Sequence, residues 1–331
     1  MNMKPFSTDI LRFDNPEAVC EKIEEEIRRI VFKKLKRKGA VVAISGGIDS
    51  SVCAALCQRA LGSERVIGLL LPERDSDPDS EKLARKLADQ LEIETRTEII
   101  TATLEGFGCY ARRDEAIRII FPDYQSDWKH KVILPQNLLD SNRINISHLV
   151  VENPDGEQFK KRLPLKAYLQ IVASVNFKQR TRKVFEYYHA DRLNRVVVGT
   201  PNLLEYDQGF FVKLGDGAAD IKPIAHLYKT QVYQLGQYMG LPEDIVGRTP
   251  TTDTYSLPQT QEEFYFALPY REMDLILYAY NHKISAEEAG KVLNLTGDQV
   301  RRVYRDMVQK RRSTAYLHSP PLLIEEPLIS Q

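Results

Sequence analysis

Apolar positions recur with helical period from Pro16 to Lys38, where Val19, Ile23, Ile27, Ile30, Val31 and Leu35 stand among many charged residues. The basic run Lys33-Lys34-Leu35-Lys36-Arg37-Lys38 suits the end of such a helix. A short apolar run from Ala40 to Ile44 then reads as a buried strand, followed by a helix from about Ser50 to Ala60 and a second strand, Val66 to Leu71. Asp79 to Gln90 reads as helix and Ile93 to Ile99 as strand. A long helix near Val172 to Ala190 leads into a further strand, Arg195 to Val198. This alternation predicts an α/β fold, a doubly wound parallel sheet of Rossmann-like type. Over 100–165 the periodicity weakens, and His148 to Phe159 predicts an inserted β-hairpin turning at Asn153-Pro154-Asp155-Gly156. Two short amphipathic helices between 283 and 312, one capped by Ser285 with Glu288 and one introduced by Thr296-Gly297-Asp298, form a helical C-terminal cap. Residues 1–331 read as a single domain carrying the 100–165 insertion.

The chemistry begins where the first strand meets its helix, at Val41-Val42-Ala43-Ile44-Ser45-Gly46-Gly47-Ile48-Asp49-Ser50-Ser51. Gly46 and Gly47 allow positive φ and close approach of backbone, and Ser45, Ser50 and Ser51 add hydroxyls where unpaired helix N–H groups face outward. Such a turn suits a pyrophosphate. No Gly-Lys-Ser/Thr follows at the spacing of a Walker A loop, and the dinucleotide-binding fingerprint is also absent.

Bulk properties narrow the alternatives. Lys+Arg and Asp+Glu are equal at 46 each, so no global field draws the chain to nucleic acid or to an anionic membrane. Residues 1–14 lack the pattern of a secretory leader, no apolar run has membrane-spanning length, and a cytoplasmic protein is expected. Cys20, Cys53, Cys57 and Cys109 have no metal-ligand spacing, and Cys53 and Cys57, one turn apart, read as packing residues. The terminal helix pair has helix-turn-helix length, yet Lys291, Arg301, Arg302 and Arg305 are too few basic residues before Lys310 to favour DNA binding over a structural cap.

The segment Ser45 to Ser51 resembles the PP-loop of the N-type ATP pyrophosphatases. A second set of motifs resembles the NAD synthetases within that group: Val198-Gly199-Thr200 with Glu205, Gly215-Asp216-Gly217, Asp220 before Ile221-Lys222-Pro223, and Lys229-Thr230-Gln231. The likeness extends to Asn176, Arg180 and Arg182, to Arg248-Thr249-Pro250-Thr251-Thr252-Asp253, which matches the family's mobile second ATP loop, and to Gln261-Glu262-Glu263 with Tyr270 and Asp274. The resemblance implies cleavage of ATP between its α and β phosphates and amidation of the nicotinate carboxylate of deamido-NAD by ammonia. ATP would lie on Ser45, Gly46, Gly47, Ile48, Asp49, Ser50, Ser51, Thr200, Lys229, Thr251 and Thr252.

Asp49 beside a phosphate nest would repel pyrophosphate unless a cation intervened, so Asp49 and Glu205 are candidate Mg²⁺ ligands, with helix capping and a surface salt bridge as their plainer roles. Lys229 and Thr230 resemble the pair that contacts phosphates at the reaction centre. Asn176, Arg180, Lys213, Asp220 and Lys310 would hold the acid substrate. Asp253 and Glu263 are candidates for steering or deprotonating ammonium, or for pairing with an arginine. The resemblance also implies a homodimer. Nothing resembles a glutaminase, so free ammonia is the expected donor, although a separate glutaminase could deliver it. Departures are Gln309-Lys310-Arg311 where the family commonly has His-Lys-Arg, Ala267 where glycine is common, Pro201 and Leu203-Leu204 after the Gly-Thr, and the longer segment before Asn176. The insertion could reshape the acceptor pocket for a different carboxylic acid. A hairpin carrying Glu152, Asp155, Lys160, Lys161 and Arg162 could equally cover the outer surface without touching it.

Overall fold

The fold comes from a computed structural model that describes residues 4–134, 139, 147–251, 254–260, 262–266 and 268–325. Helix α1, Pro16–Arg28, starts on Asn15, whose side chain accepts from the Ala18 N–H. It passes into a wide π turn over Arg29–Lys34, closed by the Leu35 N–H on the Ile30 carbonyl, so the predicted helix ends short of Lys38. Strand β1, Ala40–Ala43, feeds α2, Ile48–Leu61, and β2, Val66–Leu70, feeds α3, Pro78–Gln90. Strand β3, Glu94–Thr97, is followed by α4, Thr101–Gly106, and α5, Cys109–Arg118. The insertion supplies β4, Lys129–Ile133, β5, His148–Glu152, and β6, Gln158–Arg162. Helix α6, Leu165–Leu193, then returns the chain to β7, Val196–Val198. Five helices follow: α7, Leu203–Gln208; α8, Lys229–Tyr238; α9, Glu243–Val246; α10, Tyr270–Asn281; and α11, Ala286–Leu293. Last comes α12, Gly297–His318.

Strands β3-β2-β1-β7 form a parallel sheet in that order, with Ala40 opposite both Val66 and Val196. Both faces are covered at β1, β2 and β7, while the edge strand β3 is largely exposed. Ala40, Val42, Val66, Leu70, Val196 and Val198 pack with residues of α1, α2 and α8, while Val41, Ile67, Leu69 and Val197 pack with Leu104, Tyr110 and Ala190. Burial on both sides is why β1, β2 and β7 read as unbroken apolar runs. Cys53 and Cys57 lie in the first of these cores, and burial pushes the Cys57 thiol up to about 12.

The predicted hairpin is β5–β6, with Gly156 at φ 82° in its turn. A third strand, β4, pairs antiparallel with β5 and was not evident in the sequence. Lys129-His130-Lys131 has the look of a charged loop, yet His130 is fully buried. Val132, Leu149, Val151, Leu163, Ala167 and Ile171 give this sheet a core shared with α6, which begins after Pro164 rather than at Val172. Near the C-terminus, Ser285 caps α11 through the Glu288 N–H, and Thr296 with Gln299 forms a capping box on α12. Helix α12 extends to His318, beyond the expected end at 312, and packs with α10 and α11 against Phe6 and Leu11. Among the described residues no helix is long and apolar enough to cross a membrane.

Candidate active site

In the strand order β3-β2-β1-β7 the chain leaves β1 toward β2 on one side and finds β7 on the other, so the crevice past the carboxyl ends of β1 and β7 is the topological switch point. The serine-glycine turn after β1 lies there. Gly46 has φ 75°, and a Cβ on it would stand 2.7 Å from the Ser80 carbonyl oxygen, so both conformation and space require glycine. Gly47 is the N-cap of α2 and offers no capping side chain, leaving first-turn N–H groups for a ligand. The hydroxyls brace the turn itself: Ser50 donates to the Gly47 carbonyl at 3.0 Å and Ser51 to the same oxygen at 2.8 Å. The Ser45 N–H donates to Ser50 Oγ at 3.2 Å. Ser51 is fully buried and does not border the cavity in front of the turn, whereas Ser45, Gly47, Ile48, Asp49 and Ser50 do.

That cavity measures about 1320 Å³, more than the roughly 300–1,000 Å³ of a typical single-ligand pocket, so it has room for two nucleotides. Asp49, Thr200, Glu205 and Lys229 all line it, and Asp49 and Glu205 lie close enough to act on the Lys229 charge. Asp49 accepts from the Asn202 side-chain amide at 3.1 Å and from the Lys229 ammonium. Asn202 and Glu205 form the capping box of α7, which turns both toward the switch point. Lys229, at the start of α8, is only 2% exposed. Burial works against its charge, but the carboxylates of Asp49 and Glu205 outweigh that and hold its pKa above the ordinary lysine value. Asn202 carried no role in the sequence reading, although its Asn-x-x-Glu spacing was a visible capping signal.

Thr230 faces away from this cluster. Its N–H donates to Asp274 at 2.7 Å, and neither its hydroxyl nor Asp274 Oδ1 has a hydrogen-bond partner. Asp274 is fully buried, and desolvation raises its pKa to about 7. Thr251 borders the cavity and is bridged to Thr260, while Thr252 and Asp253 lie outside the described residues. Glu263 is not on the cavity wall; it pairs with Lys131 of β4 at 3.0 Å.

The acceptor candidates separate. Asn176 and Arg180 on α6, Lys213 and Lys310 all line the cavity. Lys213 donates to the Tyr316 and Ser319 carbonyls at the end of α12, and Lys310 pairs with Asp306 at 2.8 Å. Asp220 instead accepts from the Val197 N–H at 2.8 Å and does not border the cavity, whereas Asp216 does. Asp216 belongs to the Gly215-Asp216-Gly217 turn, and its carboxylate accepts from the Val212 N–H at 2.8 Å. The insertion is part of the wall: Val132, Leu134, Ser147, Arg162 and Leu163 line the same cavity. A hairpin that only covers the outer surface is therefore not what the chain builds, because the third strand turns the hairpin's base inward.

Which family owns this arrangement is decided by comparison. The family model described as NAD synthase matches residues 19–117 and 109–315. An NH(3)-dependent NAD(+) synthetase of Mesorhizobium japonicum is 54% identical over 309 residues, 93% of this chain and 97% of that protein. The chain belongs to the NAD synthase family. A second NAD synthase relative, the NH(3)-dependent NAD(+) synthetase of Rhizobium meliloti, is 52% identical over 98% of each chain. The fold is shared with the structure of NMN synthetase from Francisella tularensis, at a TM-score of 0.64 and 22% identity over 96% of this chain and 100% of that one. It is shared too with an NH3-dependent NAD synthetase from Campylobacter jejuni, at a TM-score of 0.62 and 21% identity over 95% of this chain and 100% of that one.

Proposed function

We propose that this chain amidates deamido-NAD to NAD, splitting ATP to AMP and pyrophosphate and taking ammonia as the nitrogen donor. The observation that carries this reading is the meeting of Asp49, Glu205 and Lys229 beside the serine-glycine turn, in one cavity with space for both nucleotides. The β and γ phosphates of ATP would rest on the turn and the start of α2, with the α-phosphate toward Lys229. An oxygen of the nicotinate carboxylate attacks that phosphorus, pyrophosphate departs, and ammonia then displaces AMP from the acyl-adenylate. Lys229 neutralises charge that builds on the phosphates, and the buried setting strengthens its effect.

Two carboxylates facing a cation, here the Lys229 ammonium, form a hard-oxygen donor set that fits Mg²⁺. Asp49 and Glu205 would hold it, and when bound it would shield pyrophosphate from them. Among the described residues no third His, Cys, Asp or Glu joins them, which suits an ion that takes its remaining ligands from phosphate and water. The matched relatives carry NH(3)-dependent in their names and are covered almost end to end, which supports free ammonia, with a separate glutaminase as the variant. The family likeness supports a homodimer, which light scattering tests. Four buried free thiols support a cytoplasmic location.

The deciding experiment is ATP–pyrophosphate exchange at saturating Mg²⁺ with deamido-NAD, nicotinate mononucleotide and simple carboxylic acids offered in turn. Exchange with deamido-NAD, and NAD formed with ammonium and no glutamine, is the expected result. Exchange with another acid only would overturn the acceptor, and ADP as product would overturn the chemistry.

A further inference from the structure

We propose that the inserted strand β4 is the seat of the segment following the second ATP loop, and that Lys131 on it is a positioning residue for ATP. The proposal rests on the ATP-dependent reading above. In the order β4-β5-β6, β4 has β5 on one side only, and its other edge is taken up by residues 256–259 and Glu263. The Leu257 N–H donates to the His130 carbonyl at 3.1 Å, and the Leu134 N–H to the Glu263 carbonyl at 2.9 Å. Side chains fill the space between: the His130 N–H donates to Ser256 Oγ at 2.9 Å and Gln259 Nε2 to the Val132 carbonyl at 2.5 Å. Lys131 holds the segment twice, through the Pro258 carbonyl at 3.2 Å and the Glu263 carboxylate at 3.0 Å.

The seat reaches the nucleotide end by a short path. Glu263 donates its N–H to Thr260 Oγ1 at 3.1 Å, and Thr260 is bridged to Thr251, which lines the cavity. Thr254 and Tyr255 line it too, immediately before the seated residues. Seating residues 256–259 and Glu263 on β4 therefore holds Thr260, and through its bridge Thr251. In this account Glu263 serves as the counter-ion of Lys131 and does not act on ammonium, in accord with its place off the cavity wall. The ion pair is worth more than a surface pair because its side chains are only 18% and 35% exposed.

The test compares Lys131→Ala, Lys131→Arg, Lys131→Glu, Glu263→Lys and the double reversal Lys131→Glu/Glu263→Lys. Trp128, the one tryptophan of the chain, sits beside β4 and stacks on Phe159, so unchanged tryptophan emission certifies that the inserted sheet is folded. Lys131→Ala should weaken Mg·ATP binding and raise the KM for ATP by about tenfold, with kcat at saturating ATP reduced by less than about threefold, since positioning is lost while the reacting groups remain. Lys131→Arg should stay close to wild type, and the double reversal should recover most of what either reversal loses. An ATP affinity for folded Lys131→Ala within twofold of wild type would overturn the proposal. So would a double reversal that loses kcat as fully as Glu263→Lys. Calorimetric Mg·ATP binding needs no acceptor, so it reads the role of Lys131 even if deamido-NAD supports no exchange.

Discussion

Lys229 and Lys178 are 2% and 1% exposed, each beside two carboxylates, yet they serve the molecule differently. Lys178 on α6 donates to Asp75 at 2.8 Å and to the Thr254 carbonyl at 2.9 Å and forms an ion pair with Glu73 at 2.8 Å, so its ammonium is enclosed by partners from two other segments. Burial works against the Asp75 carboxylate, but Lys178 and Arg113 overcome it and hold its pKa far below the ordinary value. Lys229 donates to Asp49 alone among the described residues, and it faces the cavity. It has donors to spare for phosphate. A buried lysine enclosed by protein partners is a tie between segments, here between α6, the loop after β2 and residue 254; one with donors left toward a cavity is available for chemistry.

The largest effects should divide along that line. Lys229→Met should lower kcat by on the order of 10³, and Asp49→Asn and Glu205→Gln each by on the order of 10² or more, because phosphate charge then meets an unbalanced site. Steady-state assays with a thermal melt on each protein would check this, and the three melts should stay nearer wild type than that of Lys178→Met. Full turnover in the two carboxylate variants would place the metal elsewhere. Lys178→Met should cost roughly 3–5 kcal/mol of stability, since Glu73 would be left buried without its cation and Asp75 with Arg113 alone. Chemical denaturation measures it. A Lys178→Met protein of normal stability but no turnover would erase the distinction between the two lysines.

The same distinction marks what could be read from the chain. Ser45 to Ser51 was legible because its contacts are local: the hydroxyls brace a turn within six residues of one another, and the apolar strand before it is buried on both faces. Lys178 was passed over although it sits between Asn176 and Arg180, because its partners lie 76 or more residues away along the chain. Strand β4 was missed for a related reason. Its Lys131 reaches Glu263 across 132 residues, and no local pattern announces that edge. Asp220 shows the converse: a motif position read as a substrate contact is spent on the N–H of Val197.

A sharper test of the nucleotide end is Gly46→Ala. The added methyl would meet the Ser80 carbonyl at 2.7 Å and Leu83 Cβ at 3.1 Å, with φ in the left-handed region. A cost of about 1–3 kcal/mol in stability is expected, along with loss of ATP binding out of proportion to it, because the loop must shift to accommodate the methyl. Calorimetric ATP titration beside a thermal melt separates the two. Normal ATP affinity in a destabilised Gly46→Ala would show that the phosphates do not rest on this turn.

The smallest effect concerns Asp274, which anchors the first turn of α8 through the Thr230 N–H and so supports the backbone that carries Lys229. Desolvation raises its pKa to about 7, well above the value of about 3.9 expected in an unfolded chain. The folded protein therefore binds a proton on this group that the unfolded chain has released between those two values, and the unpartnered Oδ1 is free to carry it. Stability from this group is fully present below the unfolded pKa and is lost as pH rises through about 7. Asp274→Asn keeps an oxygen for Thr230 and cannot ionise. Its melting temperature should gain on wild type from pH 5 to pH 8, by the equivalent of on the order of 2 kcal/mol, and the gap should flatten above that. A constant difference across the range would mean that Asp274 is already ionised in the folded protein. The charge on α8 would then belong to a carboxylate–lysine arrangement like that around Lys178, and the contrast between the two lysines would narrow.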